Sequence, residues 1–517
     1  MSTVSSSTAA STAADTQSLL QQAAQSVISG STGNTSLDVT QIVSALVAAK
    51  VAGQTDAITT QTQNDTAQIS AWGSLQAALS ALQIALTPLS NGSTVNKFAA
   101  TASGDGLTAT AGTGAIAGSY QIGVQQIAAG QVLTSQAYGA KQALGTGTLT
   151  ISVGGKSMDV PISSSANTVA DVAAAINSAS NNPGVSATVV NGADGAHLVL
   201  HATNSGAANA ISVSVNETDG GSTLKTLAVT STAGTAPTVT NSGGTSTLNS
   251  NGSTIAAGSS WTQSTAGQDA YFTVDGTAVT SATNSVTTAL TGITLNLTSA
   301  AISDTPQTLT IAQDTTSQAT DITNFVQAYN SLVTAIGTAT GFDSNTHQAT
   351  GTLIGDPLVN QLNNTLSSIL ASAVGTGSGA TGLGALGISL NADGTLAVDN
   401  DTLTTALATN QAAVSQLFNS TNGIAAQLNN TITAETGTSG AITNRVAALN
   451  SDLTGTGPNS VPTETDALNT YKAQLTTMYT AQFTALNNLM AQMNNNSQYL
   501  TALFGGQNSQ GALSANK

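Results

Sequence analysis

Residues 69–92 read ISAWGSLQAALSALQIALTPLSNG. Ile69, Trp72, Leu75, Leu79, Leu82 and Leu86 recur at three- and four-residue steps up to Pro88, the spacing of one helix face. Such a stripe suits packing against other helices, and Trp72 reads as core packing on it. Beyond Asn91-Gly92 the period drops to two. Tyr120, Ile122 and Val124 alternate, and so do Leu149, Ile151 and Val153. Helix before Asn91-Gly92 and strands after it set the plan of the chain.

Toward the N-terminus, Leu37, Ile42, Val43, Leu46 and Val47 also fall near helix spacing, with Ser36 or Asp38 as the cap. Between the two stripes, Gln54–Gln68 holds only Ile58 as a large apolar residue. Residues 1–35 open on Ser, Thr and Ala and are expected to be mobile. They carry no positive charge and no apolar run of ~7–15 residues, so a Sec-type signal peptide is not expected. No stretch reads as the ~20 apolar residues of a membrane-spanning helix.

Toward the C-terminus, Leu149–Val153 and Met158–Ile162 flank Gly154-Gly155 as a hairpin. Thr168 and Asp171 form a capping box ahead of Val169, Val172 and Ile176, and Pro183-Gly184 closes that short helix. With strands at Val185–Val190 and His197–His201, residues 147–202 make a β-β-α-β-β unit. Residues 220–260 are low in complexity and read as a variable, loop-rich insertion. Strands resume at Tyr271–Val274, before the turn Asp275-Gly276, and again around Ile293, Leu295 and Leu297 and at Leu309 and Ile311. The helix period returns with Ile322, Phe325, Val326, Tyr329, Leu332, Val333 and Ile336, then from Pro357 through Leu358, Leu362, Leu366, Ile369 and Leu370. A small hairpin at 387–399 precedes a helix over Thr402–Phe418. In the segment 464–504, Leu468, Tyr471, Leu475, Met478, Leu489 and Met493 suit heptads, and Gly505-Gly506 ends it.

The fold class that follows is α+β multidomain. N- and C-terminal helices pair as a coiled-coil-like stalk, a helical leg domain adjoins them, and β-rich head domains are inserted in the middle of the chain. The expected boundaries are a mobile N-terminus at 1–35, stalk and leg helices at 36–90, a head at 91–315, a leg domain at 316–460 and a C-terminal helix and tail at 461–517.

Composition limits the chemistry. The chain has 517 residues, no Cys, 8 Lys+Arg, 24 Asp+Glu and a formal charge of −16. Only 6% of residues are charged, against about 25% in an average protein. Disulfides, thiolate metal sites and cysteine nucleophiles are excluded. So sparse a basic content argues against nucleic-acid binding. His197 and His201 share a strand face but lack a third ligand at a telling spacing, and His347 has no Ser-His-Asp arrangement around it. Asn391, Asp393, Asp399 and Asp401 around Gly394 have the wrong spacing for a calcium loop, so Asp393-Gly394 reads as a turn. Gly112-Thr113-Gly114 leads into a strand rather than a helix, which removes the phosphate-cradling geometry. No catalytic, cofactor or metal site is expected, and the apolar helical stripes point to assembly.

Several stretches, in order, resemble one family. Thr35–Val43 (TSLDVTQIV), Ile69–Gln83, Leu107–Ser135 (LTATAGTGAIAGSYQIGVQQIAAGQVLTS), Phe325–Leu332 (FVQAYNSL), Leu386–Leu396 (LGISLNADGTL) and Phe483–Met493 are similar to the flagellar hook-associated protein 2 family of filament caps. The β-β-α-β-β unit resembles the insertion motif shared by flagellins and hook-associated proteins. Ser36 stands where the family usually has Gly, and 220–260 and the long N-terminus depart from its pattern.

The resemblance implies a structural protein at the distal end of the flagellar filament that retains exported flagellin and promotes its folding and insertion. Implied partners are further copies of itself in a homo-oligomeric ring (five subunits, with four to six allowed), flagellin, hook–filament junction proteins and an export chaperone, with no membrane insertion. Implied export is by the flagellar secretion apparatus, without a cleaved signal peptide. The expected contact residues on stalk and leg are Leu37, Ile42, Val43, Leu46, Ile69, Trp72, Leu75, Leu79, Leu82, Leu468, Tyr471, Leu475, Met478, Leu489 and Met493. Two alternatives stay open: another axial protein, such as a flagellin or junction protein, and a surface adhesin.

Overall fold

The computed structural model describes residues 17–18, 20–22, 24–25, 38–220, 223–242, 245–375, 380–419 and 421–504. Ser36, Leu37, most of 1–35 and Gly505-Gly506 lie outside the described residues. In chain order the longer helices are α1 (Val39–Ser90), α2 (Val169–Ser178), α3 (Thr315–Ala339), α4 (Pro357–Ala371), α5 (Asn400–Thr409), α6 (Ile424–Thr436), α7 (Ala441–Thr454) and α8 (Val461–Phe504). The chain forms two compact units. One holds Met1–Asn91, Asp321–Ala406 and Ala412–Lys517, and the other Gly92–Thr320 and Leu407–Gln411.

In the first unit, α1 is a single helix of 52 residues, about 78 Å long at 1.5 Å per residue. Asp38 caps it, its Oδ1 accepting from the amides of Thr40 (3.1 Å) and Gln41 (3.2 Å). The polar stretch between its two apolar stripes stays helical. Thr55, Thr59, Thr62 and Thr66 each donate a hydroxyl back to the carbonyl four residues earlier, so these side chains do not draw the backbone out of the ladder. The helix also runs past Pro88 to Ser90, where the sequence pattern had stopped it. A proline this near the C-terminus forfeits one backbone bond with almost no helix left to disrupt, and Asn91 N–H still reaches the Thr87 carbonyl.

One 18-residue window of α1 has a mean hydropathy of 1.2, enough by length and composition to cross a bilayer, which corrects the reading that no stretch comes near it. Trp72, Leu75, Leu79, Leu82, Leu86 and Leu89 of α1 are buried inside the unit, while Leu46 and Ile84 reach solvent. On α3, Ile322, Phe325, Tyr329 and Leu332 are buried, with Phe325 edge-on to Phe418 at 6.0 Å. Asp356 caps α4 ahead of Pro357, as the sequence position of that proline predicts. The hairpin Ile388–Leu390/Leu396–Val398 is held to α3 by the Asn330 amide, which both donates to and accepts from the Leu396 backbone. The helix expected over Thr402–Phe418 is not continuous. It breaks at Asn410, a residue whose amide competes for backbone hydrogen bonds, and Ser415–Asn419 form a wide π turn.

The second unit contains two sheet pairs. A five-stranded sheet, in the order Phe98–Ala102, Gln307–Gln313, Gly118–Gln126, Ala270–Val274, Thr277–Ser281, shares a core with the three strands Ser285–Leu290, Ile293–Leu297 and Leu107–Ala111. The alternating residues read from sequence, Ile122, Val124, Phe272, Leu295, Leu309 and Ile311, fill that core. Asp275 and Gly276 both take positive φ, 47° and 78°, as a two-residue hairpin turn requires.

The other pair contains the β-β-α-β-β unit in the order read from sequence: Gly147–Val153, Lys156–Ile162, α2, Val185–Asn191 and Ala196–Ala202. Its two hairpins form and the Thr168–Asp171 capping box is present, but the hairpins do not make one sheet. Gly147–Val153 and Lys156–Ile162 are joined by Ser212–Glu217, whereas Val185–Asn191 and Ala196–Ala202 are joined by Val132–Ser135 and Trp261–Thr265. Each hairpin leaves an edge that needs a partner, and strands from outside the unit supply it. The two sheets bury one common core with α2.

The insertion at 220–260 also departs from expectation. Leu224, Leu227 and Val229 are buried in that core, and the Trp261 indole donates to the Leu227 carbonyl at 3.2 Å. Farther on, Thr238–Ser242 and Thr245–Asn249 pair as a separate hairpin.

Candidate assembly surface

The stalk and leg residues named from sequence separate into three groups in the structure. Leu37 lies outside the described residues.

The first group forms an antiparallel seam between the N-terminal part of α1 and α8. Val43, Val47 and Val51 are buried against Leu468 and Leu475, with Val39, Ile58, Tyr479 and Phe483 half-buried around them. Ile42 and Ala45 pack on Phe483, while Gln61 farther along α1 donates to the Asn459 carbonyl ahead of α8, so the two helices run in opposite directions. Each fully buried Val or Leu here contributes roughly 1.5–3 kcal/mol of transfer free energy. Beside the seam, Gln54, Ala57, Ile58, Glu464, Ala467, Leu468 and Tyr471 line a groove of about 310 Å³.

The second group is interior. Trp72, Leu75, Leu79 and Leu82 are each 0% exposed, and Ile69 is half-buried. Helices α6 and α7 cover this part of α1. The Gln83 side chain donates to Asn429 (3.0 Å) and Thr433 (3.1 Å) of α6, and Arg445 of α7 donates to Gln68 (3.1 Å). Trp72, Leu75, Leu79 and Leu82 are taken up by the protomer's own bundle, and Ile69 keeps part of its surface.

The third group is exposed. Leu46, Tyr471, Met478, Leu489 and Met493 reach solvent, the last two at 53% and 64%. Leu486, Tyr499 and Leu500 of α8, which the sequence reading did not single out, are exposed with them. The signal was present, since Leu486, Met493 and Leu500 are spaced by seven residues.

Charged side chains on α1 and α8 are few, Lys50, Asp56 and Asp65 on the first and Glu464, Asp466 and Lys472 on the second, and Asp65 lies inside the bundle. The Asp65 carboxyl on α1 is buried, and its Oδ2 has no hydrogen-bond partner. Burial, and secondarily the like charge of Asp452, push its pKa up, and Arg445 only partly opposes them. A neutral hub was equally invisible in the sequence. Gln131, fully buried in the second unit, donates to Gln263 (2.8 Å) and Ser231 (3.2 Å) and accepts from the Ile211 amide (2.6 Å). No group of three or more His, Asp or Glu side chains suited to a metal occurs among the described residues. His197 and His201 share a strand without a third ligand.

Comparison with known proteins places this architecture. Residues 35–131 match the flagellar hook-associated protein 2 N-terminus, 267–495 its C-terminus, and 148–204 the flagellin hook IN motif. The B-type flagellar hook-associated protein 2 of Pseudomonas aeruginosa is 31% identical over 457 residues, covering 87% of this chain and 91% of that protein. Flagellar hook-associated protein 2 of Escherichia coli K12 is 32% identical over 465 residues, covering 86% and 92%. The crystal structure of the D1-D2-D3 domains of the Escherichia coli flagellar cap protein superposes with a TM-score of 0.57 at 30% identity, covering 74% of this chain and 99% of that one. With two terminal family models, an internal hook motif and near full-length relatives in agreement, the chain belongs to the flagellar hook-associated protein 2 family, the filament-capping proteins of the bacterial flagellum.

Proposed function

We propose that this chain caps the filament as a homo-oligomeric ring, five copies with four to six allowed, that retains exported flagellin and promotes its folding and insertion. The role is structural, not catalytic. The protein acts outside the cell at the distal tip, after export by the flagellar apparatus with the help of a chaperone, and hook–filament junction proteins precede it on the axis. In this reading the antiparallel α1–α8 seam is the stalk, the α3–α7 region the leg and the β-rich unit the head. Leu489 and Met493, with Leu486 and Leu500 beside them, make the contacts to neighbouring copies or to the filament.

The observation that carries the reading is the division of α8. Leu468 and Leu475 are spent inside the protomer, whereas Leu486, Leu489, Met493 and Leu500 continue the apolar pattern on an exposed surface. An exposed apolar stripe on a long helix marks an interaction face. Deleting the gene tests it. Monomeric flagellin should accumulate in the medium while attached filaments disappear. Filaments of normal length in the deletion strain would overturn the capping role.

A further inference from the structure

His197 lies on the strand Ala196–Ala202, in the sheet of the second unit that also holds Val132–Ser135. Its Nδ1 is 2.8 Å from the Ser135 backbone carbonyl, and its Nε2 is 3.0 Å from Asp194 Oδ1. Both partners are acceptors only: a carbonyl oxygen and an ionised carboxylate. A neutral imidazole has a single N–H and can satisfy one of them, leaving a lone pair facing a lone pair at the other. The observed pair of contacts is complete only for the imidazolium.

The ring is fitted to its place. At Gly192 a Cβ would come within 2.8 Å of Asp194 Oδ1 and 3.2 Å of His197 Nε2, so the glycine leaves room for the contact. The turn is closed on itself by Gly192 N–H donating to the Gly195 carbonyl at 2.7 Å, with Gly195 at a φ of 143°.

We propose that His197 is a pH-operated clasp, which when protonated fastens the turn Asn191–Gly195 to the end of the strand Val132–Ser135 and releases it when neutral. The titratable groups that bear on the ring are few. Asp194 faces it from the turn, and His201 sits four residues along the same strand. Tyr138, bridged to Ala196, is bonded through its hydroxyl to Thr226. The paired strands Val132–Ser135, Val185–Asn191 and Trp261–Thr265 contribute no charged side chain. The Ser135 carbonyl, and next the Asp194 carboxylate, hold the His197 pKa above its ordinary value, and His197 in turn holds Asp194 below the usual carboxylate range. The clasp is therefore fully fastened below the ordinary histidine pKa and lost as pH rises through the raised one.

The test is an NMR titration of the imidazoles in the full chain, with the three resonances assigned by single His→Gln variants. His197 should titrate above the ~6.5 of a free imidazole. Asp194→Asn, a change in an exposed turn that leaves the sheet intact, should lower that midpoint. The Gly192 amide should lose hydrogen-exchange protection, beyond the intrinsic pH dependence, at the same midpoint in the native chain and without an inflection in Asp194→Asn. A His197 midpoint at or below ~6.5 that Asp194→Asn leaves in place would overturn the clasp. So would Gly192 exchange that follows the intrinsic curve throughout.

Discussion

Asp65 is the residue that low overall charge makes conspicuous. The chain has 24 acidic groups, and this one is buried with an oxygen unpartnered, beside Asp452 and only partly countered by Arg445. The other charges on α1 and the helices packed on it are Lys50 and Asp56 on α1, Glu435 on α6, and Glu464, Asp466 and Lys472 on α8. A raised folded-state pKa means that the folded chain binds the proton more tightly than the unfolded one. The resulting stabilisation is complete below the ordinary aspartate pKa and is lost as pH rises through the raised value. At neutral pH Asp65 therefore weakens the bundle. Asp65→Asn should raise the melting temperature at neutral pH. It should also flatten the acid-to-neutral slope of stability, and a lower melting temperature at neutral pH would show that the carboxylate is productively paired. Nothing in the residues around position 65 announced this site, because its character depends on helix α7, nearly 400 positions along the chain.

At the scale of elements, α1 and α8 make opposite uses of the same apolar periodicity. On α1 the stripe is consumed by α6 and α7, and on the outer part of α8 it remains on the surface. Leu79→Ala should therefore cost about 2–5 kcal/mol in chemical denaturation of the isolated protein, the range for a large-to-small change in a packed core. Met493→Asp should leave the denaturation midpoint unchanged and abolish filament growth in complementation of a deletion strain. Equal loss of stability in both variants would contradict the division. The existence and kind of these helices were legible, since a period of three to four residues has one physical cause. Which stripe is spent inside the protomer was not, because periodicity records that a face is apolar but not what covers it. The same limit explains the strands. Gly154-Gly155 and Asp275-Gly276 fixed two hairpins through their positive φ. The partner strands Ser212–Glu217 and Val132–Ser135 come from outside the 147–202 unit, so its internal pattern could not show that the two hairpins belong to different sheets. Leu224, Leu227 and Val229 were hidden by the Ser, Thr and Gly around them, a composition that describes the surface of the segment and not its few anchors.

For the whole molecule, a chain with only 6% charged residues changes how association responds to its medium. The contacts proposed for Leu489, Met493 and their neighbours would rest on apolar burial, which salt does not screen, whereas ion-pair contacts fade once the Debye length shrinks. Self-association followed by analytical ultracentrifugation should change little between about 0.05 and 0.5 M NaCl, over which the Debye length falls roughly threefold. Dissociation at the higher salt would point to charge pairing at the interface.

Strand Phe98–Ala102, near the start of the β-rich unit, is paired residue for residue with Gln307–Gln313, near its end, from Phe98 opposite Gln313 to Ala102 opposite Leu309. The main stretch of that unit, Gly92–Thr320, thus begins and ends on neighbouring strands. Inside it Gly118–Gln126 and Ala270–Val274 pair in turn, Gln126 opposite Tyr271, so the stretch between residues 126 and 270 behaves as a cassette whose two ends are already joined and can lengthen, shorten or be exchanged without re-threading the sheet that frames it. Natural variation in such a protein has an obvious place to accumulate, and an engineered payload has an obvious place to go.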